Sequence, residues 1–273
     1  MGFIDAHVHV WSDDRKAYPR ATEAASNPER FTAEDLFAHS RPAGVTRIVL
    51  IQPGQYRYDN RYMLETIARH KGVFSGVAVM DPHRQDPEPA MRALRRQGVM
   101  GFRITPGGDP QGWLEQPAMD RMWRAAAGTG QAMCPLVNPN AIPSIDRACA
   151  RHPRTRVVID HIARIGADGT IRDADVQALC GLARHPNLYV KLSAFYALGQ
   201  KKPPYTDLLP MIGRVFETFG PRRLMWASDG PYQTLPPHSY AESVALLKDR
   251  MPRLSKDDKA WLLEKTAESV FFS

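Results

Sequence analysis

The sequence predicts an α/β protein folded as a (β/α)8 TIM barrel, and three observations carry that expectation. Short apolar runs of strand length alternate with amphipathic stretches of helix length from end to end; there are eight of the short runs; and the chain has 273 residues. A barrel of this kind needs about 250 residues. Strict alternation of the two patterns implies parallel βα units rather than hairpins.

Strands are predicted at Phe3–Val8, Thr46–Ile51, Gly76–Met80, Val99–Ile104, Ala132–Val137, Arg156–Asp160, Leu188–Leu192 and Leu224–Ala227. Helical periodicity fills the gaps at Ala33–His39, Asn60–His70, Pro87–Gln97, Ala118–Gly128, Ile142–His152, Asp173–His185 and Leu208–Phe219. Three of these helices end on Ala-Arg-His, at His70, His152 and His185, each followed within two residues by Gly or Pro. A basic side chain suits the negative end of the helix dipole and the breaker stops the helix, so these histidines are expected to be caps rather than ligands. His39, ahead of Arg41-Pro42, reads the same way. Pro203-Pro204 and Pro236-Pro237 read as rigid turns over one face. Ser255, with Asp258 three residues on, starts a last helix that closes the barrel. No low-complexity tract or linker interrupts the pattern, so residues 1–273 are expected to form one domain.

The formal charge is +7, from 36 Lys and Arg against 29 Asp and Glu. The basic residues are spread along the chain, and the densest groups (Arg92-Arg95-Arg96, Lys201-Lys202, Arg222-Arg223) are short and lack interleaved aromatics. That argues against a nucleic-acid partner and leaves attraction of a small anionic substrate. Cys134, Cys149 and Cys180 are odd in number and widely spaced, as expected of buried thiols in a reducing, cytoplasmic setting. The N-terminus has neither a basic leader nor a long apolar run, and no stretch approaches ~20 apolar residues, so no membrane association is expected. Nothing in the sequence sets the oligomeric state, and a homo-oligomer stays open.

In such barrels function comes from the C-terminal ends of the strands. Those ends carry His7 and His9, Gln52, Asp81, Arg103, Asp160 and His161, Lys191 and Ser193, and Ser228 and Asp229. Alternation puts His7 and His9 on one face of the first strand, where two imidazoles beside a carboxylate can hold a divalent metal or position a carbonyl and a water without one. Gln52 either contacts substrate or satisfies a loop carbonyl. Lys191 pairs with Asp160 or Asp229, faces outward, or is a substrate or Schiff-base amine. Asp160 is expected to orient its neighbours, because adjacent strand residues face opposite ways. Tyr56, Tyr58, Tyr196 and Tyr232 follow strands, and one or two should line a pocket. Trp11 and Trp226 are expected near its mouth.

The set formed by Asp5-x-His7-x-His9-x-Trp11, Ile51-Gln52-Pro53 with Asp59-Asn60, Gly101-Phe102-Arg103, Asp160-His161 and Trp226-x-Ser228-Asp229-x-Pro231 resembles the amidohydrolase superfamily. Within its amidohydrolase-2 branch the chain is similar to the group containing 2-pyrone-4,6-dicarboxylate lactonase and the sugar-acid lactonases. The resemblance runs from Asp5 to the last helix. It implies a hydrolase in which His7, His9, His161 and Asp229 form the central cluster. In that reading Asp229 is the general base, His161 or a metal it helps to bind polarises the carbonyl, and Arg103 grips a substrate carboxylate, with Gln52, Lys191 and Tyr196 as further substrate contacts. Two-metal relatives carry a bridging Lys or Glu where this chain has Arg103, and a guanidinium cannot ligate a metal. A single zinc or manganese ion held by His7, His9, His161 and Asp229, or no metal at all, are equally compatible with the sequence. Thr266 stands where the family more often has Asn. A metal-dependent decarboxylase of the same superfamily is the alternative, weakened because Pro135–Asn138 supply no His at the end of strand five. A non-catalytic barrel that only binds ligand is the third reading.

Overall fold

The computed structural model describes residues 2–22, 26–251 and 253–273. Eight strands form one parallel sheet in sequence order: β1 Phe3–Val8, β2 Val45–Ile51, β3 Phe74–Ala78, β4 Val99–Ile104, β5 Ala132–Pro135, β6 Val157–Ile159, β7 Leu188–Leu192 and β8 Leu224–Trp226. The sheet closes on itself through the chain just beyond β8. Val8 bridges Gly230, the His9 N–H donates to the Gly230 carbonyl at 2.8 Å, and the Asp229 N–H donates to the His7 carbonyl at 2.9 Å. Closure therefore sets Asp229 beside His7 of β1 and His9 just past its end.

The helices between the strands are α1 Ala33–Ser40, α2 Arg61–Arg69, α3 Glu88–Arg95, α4 Pro117–Thr129, α5 Ile142–Arg151, α6 Asp173–Gly181 and α7 Leu209–Phe219. His70 and His152 cap α2 and α5 as expected, and His185 ends the short turn that follows α6. After β8 come α8 Tyr240–Ala245, α9 Lys256–Ala260 and α10 Thr266–Phe271. Helix α8 is an addition to the sequence expectation. It follows Pro236-Pro237 and is short, yet Ser239 accepts from the Glu242 N–H, a Ser-x-x-Glu start signal that was there to be read. Ser255 and Asp258 make both halves of a capping box at α9.

Inward residues such as Ile4, Ala6, Val49, Val158 and Met225 fill the barrel, and Val270 and Phe271 of α10 plug its lower end. Gly101 of β4 lies close against β5. A Cβ there would lie 3.0 Å from the Ala132 carbonyl and 3.1 Å from Cys134 Sγ. Cys134 and Cys149 are buried, with burial pushing each thiol up to about 12, whereas Cys180 is partly exposed. No helix among the described residues is long and apolar enough to cross a membrane.

Candidate active site

Strand β1 aims its histidines through a bulge. Asp5 pairs with Ile48 and Val8 with Leu50, so three steps on β1 oppose two on β2. The extra residue breaks the alternation. Ile4 and Ala6 stay inside, His7 also turns inward, and Asp5 is sent outward, where its carboxylate accepts from Ser228 Oγ at 2.5 Å, Tyr240 Oη at 2.6 Å and the Ser228 N–H at 2.9 Å. Asp5 is thus a strut against β8 and α8, and the carboxylate beside the two imidazoles is Asp229.

His9 is held by its Nδ1, 2.9 Å from the Ile51 carbonyl, which leaves Nε2 facing Asp229 Oδ1 at 3.3 Å. His7 Nδ1 lies 3.2 Å from Asp160 Oδ1, and its Nε2 lies 2.7 Å from Arg103 Nη2 and 3.5 Å from Asp229 Oδ1. Burial and the Lys191 charge hold His7 well below the ordinary imidazole range, so it is neutral. A neutral ring that donates from Nδ1 to Asp160 accepts from Arg103 at Nε2.

Beneath this pair lies a buried ion network. Asp160 Oδ2 accepts from Arg103 Nη2 at 3.0 Å, and Asp160 Oδ1 pairs with Lys191 Nζ at 2.9 Å, with both Asp160 and Lys191 fully buried. Burial pushes the Asp160 carboxyl up, but Lys191, His7 and Arg103 together outweigh it and hold it well below the usual carboxylate range.

His161 and Asp229 complete the centre. His161 Nδ1 lies 2.9 Å from Ser193 Oγ, and its Nε2 lies 3.7 Å from Asp229 Oδ2. Tyr196 Oη donates to the same Oδ2 at 2.7 Å. Burial depresses His161 to about 4, against the opposing pull of Asp229 and Asp160. Burial raises Asp229, but His161, His9 and His7 outweigh it, so this carboxylate is held well below its usual range and stays ionised. Its Oδ1 accepts no hydrogen bond from any described residue.

The amidohydrolase family model matches residues 4–272. The chain belongs to the amidohydrolase family. The L-fucono-1,5-lactonase of Burkholderia ambifaria is 29% identical to it over 242 residues, 86% of this chain and 82% of that protein. The 2-pyrone-4,6-dicarboxylate hydrolase of Comamonas testosteroni is 25% identical over 263 residues, 93% and 84% of the two chains. Among solved structures, a Pseudomonas putida protein described as a 2-pyrone-4,6-dicarboxylic acid hydrolase superposes with a TM-score of 0.86 at 25% identity, covering 99% of this chain and 97% of that one. An amidohydrolase of Burkholderia multivorans solved with zinc bound shares the fold at 22% identity and a TM-score of 0.84, covering 100% and 99%. The 5-carboxyvanillate decarboxylase of Sphingomonas paucimobilis stands further off, at a TM-score of 0.69 and 17% identity over 99% of each chain.

In this amidohydrolase His9, Gln52, Arg103, His161, Tyr196 and Asp229 all line one cavity of about 1060 Å³ at the C-terminal ends of the strands. Lys191, expected as a substrate contact, does not. It lies one inward position below Ser193 on β7, with Nζ between Asp160 above and the Phe271 ring at 5.3 Å. Of the two roles weighed for Gln52 the loop contact is seen: Nε2 donates to the Asp59 carbonyl at 2.7 Å, while its buried Oε1 has no partner among the described residues. Trp11 packs near the mouth, 6.3 Å from the Tyr232 ring, but Trp226 faces α8, donating to Ser243 Oγ at 3.1 Å. Three cavity cations were not anticipated: Arg57, Arg164 and Lys201. All three sit in loops with positive φ, at 45°, 55° and 56°, and no periodicity marks such positions. The position of Arg164, three residues past His161, was the one available signal.

The donor set suits a single divalent ion. His7 Nε2, His9 Nε2 and Asp229 Oδ1 lie within 4.8 Å of one another. The 3.3 and 3.5 Å separations to Asp229 match the edge of a zinc tetrahedron, about 3.3 Å for bonds of ~2.0 Å. Each ring is also oriented by its Nδ1, on Ile51 and Asp160, as metal-binding imidazoles usually are. His161, expected as a fourth ligand, stands outside this group, on the Oδ2 side of Asp229.

Proposed function

We propose that this amidohydrolase opens the lactone ring of a small carboxylated organic acid or sugar acid by water attack, within a single domain. The observation that carries this reading is Asp229: a buried, ionised carboxylate in the cavity wall, with one oxygen fixed by Tyr196 and the other without a hydrogen-bond donor between two imidazoles. Oδ1 is then the base that takes a proton from the attacking water. Burial, followed by the nearby Asp229 charge, holds the Tyr196 phenol far above its ordinary range, so it stays a donor and does not compete as a base. With Ser193 donating to Nδ1, His161 carries its proton on Nε2 and donates to the carbonyl oxygen as it becomes an oxyanion. Collapse of the tetrahedral adduct breaks the ring C–O bond, and the proton held by Asp229 goes to the departing oxygen, leaving an acid and a hydroxyl.

A zinc or manganese ion on His7, His9 and Asp229 would supply Lewis-acid polarisation and a more acidic bound water. His161 and Tyr196 would keep the same tasks with or without it, while Asp229 would then be a ligand as well as the base.

An anionic substrate fits the lining. Arg57, Arg103, Arg164 and Lys201 line the cavity against Asp229 as its one acid among the described residues. Some arginines elsewhere on the surface are paired, Arg61 with Asp59, Arg147 with Glu115 and Arg250 with Glu242. Arg57, Arg164 and Lys201 have no carboxylate partner among the described residues, and such a field raises the local concentration of anions. The dicarboxylate in the name of the Comamonas relative is consistent with this chemistry. A panel of carboxylated and neutral lactones followed by acid release tests the reading. Turnover of at least one carboxylated lactone is expected, abolished in Asp229→Asn; no turnover of any of them would overturn it.

A further inference from the structure

We infer that Arg103 is a built-in competitor of the metal, so that its guanidinium and a divalent ion hold His7 Nε2 alternately and never together. The inference rests on the reading of His7, His9 and Asp229 as a cation site, and on one contact that this reading does not require. Arg103 Nη2 lies 2.7 Å from His7 Nε2, the same lone pair that a metal would take.

The rest of His7 is already arranged for either occupant. Its Nδ1 faces Asp160 Oδ1 at 3.2 Å, the carboxylate–imidazole pairing that presents a neutral Nε2 to a metal. Exchanging guanidinium for metal therefore needs no change in the ring's proton or orientation. His9 Nε2 and Asp229 Oδ1 are unopposed, so Arg103 is the one described group that occupies a ligand atom. The guanidinium is anchored there by Asp160 Oδ2 at 3.0 Å, and that carboxylate is in turn held by Lys191. A metal on His7 would sit against a fixed positive charge until Arg103 withdrew into the cavity it already lines. Metal affinity is thus set as much by the strength of the Arg103–Asp160 pair as by the three ligands.

Zinc titration of the metal-free full chain against a chromophoric chelator tests this, comparing the parent with Arg103→Met and Arg103→Gln. Both neutral variants should bind one zinc at least tenfold more tightly than the parent. A folded Arg103→Met protein whose zinc affinity is unchanged or weaker would overturn the proposal, as would failure of all three proteins to bind. If neither variant folds, the zinc-soaked parent crystal decides: Arg103 should have left His7 Nε2, and zinc on His7 with Arg103 still in hydrogen-bond contact would refute it. These readouts are of binding, so lack of lactone turnover alone would count against the proposed reaction and not against this competition.

Discussion

Asp160 and His161 are consecutive in the chain, and both side chains enter the same centre, Asp160 on Arg103 and His161 beside Asp229. In a strand they would face opposite ways. They converge because the chain leaves β6 through a left-handed turn, with φ of 55° at His161, 52° at Ile162, 51° at Ala163 and 55° at Arg164. Left-handed backbone costs non-glycine residues roughly 1–2 kcal/mol each, and a β-branched residue such as Ile162 most of all. Complete burial of Ile162 and Ala163 offsets part of that cost. One turn thereby delivers an ion-pair anchor, a neutral imidazole and, at Arg164, a cavity cation.

Asp229→Asn should lower kcat by about 10³-fold or more with little change in KM, because the amide still fills the space but cannot take the proton. His161→Asn should cost about 10²-fold, the usual loss of one oxyanion donor. Steady-state kinetics on whichever lactone the panel yields, with circular dichroism to confirm folding, provides the check. Unchanged turnover in both variants would mean that Asp229 and His161 do not carry the chemistry.

Lys191→Met should destabilise the protein by about 3–5 kcal/mol in urea unfolding, since it leaves the fully buried Asp160 short of a counter-charge. Adding Asp160→Asn should recover part of that loss. A coupling energy below about 0.5 kcal/mol in the double-mutant cycle would mean that the two residues act independently.

These expectations show what a single sequence reveals and what it hides. Strand ends are legible because polarity must break an apolar run where it meets solvent, and that rule finds His7, His9, Gln52, Arg103, His161 and Asp229. Their relations depend on backbone events without a residue signature. The β1 bulge that separates Asp5 from His7 exists only relative to the register of β2. The left-handed turn uses His, Ile, Ala and Arg, none of them a turn former. For Lys191 the sequence allows both a pairing with Asp160 and a substrate contact, and the choice between them turns on its depth in the barrel, which comes from closure of the sheet. Arg57, Arg164 and Lys201 looked like ordinary surface charge, since a missing partner is visible only in three dimensions.

Stability should rise with pH between about 4 and 6.5. His161 has its pKa at about 4 in the folded chain against an ordinary 6.5, so within that window the unfolded chain binds a proton that the folded one does not. The contribution, on the order of 3 kcal/mol, is fully present above 6.5 and lost as pH falls to 4. His7, also depressed, acts in the same direction. Asp5 opposes them: burial pushes its carboxyl up to about 6 against its hydrogen bonds from Ser228 and Tyr240, so its contribution falls as pH rises from 3.8 to 6. With two histidines against one carboxyl, urea midpoints should increase from pH 4.5 to 7, and less steeply in His161→Asn. A flat or falling profile in the parent would contradict a neutral, buried His161.

Arg164→Gln and Lys201→Gln should each raise KM for a carboxylated lactone about tenfold, the effect of losing one charge-assisted contact, while leaving kcat within a factor of two. Neither residue touches the Asp229–His161 centre by hydrogen bond, so their part is attraction and orientation rather than chemistry. Two controls separate this from a general disturbance of the loops. Neutral lactones, if turned over at all, should show no change in KM. The rise in KM with added salt should be shallower in the variants than in the parent, because part of the field being screened is gone. If the variants instead lower kcat equally for neutral and carboxylated substrates, Arg164 and Lys201 hold the loops after β6 and β7 in place and do not read charge.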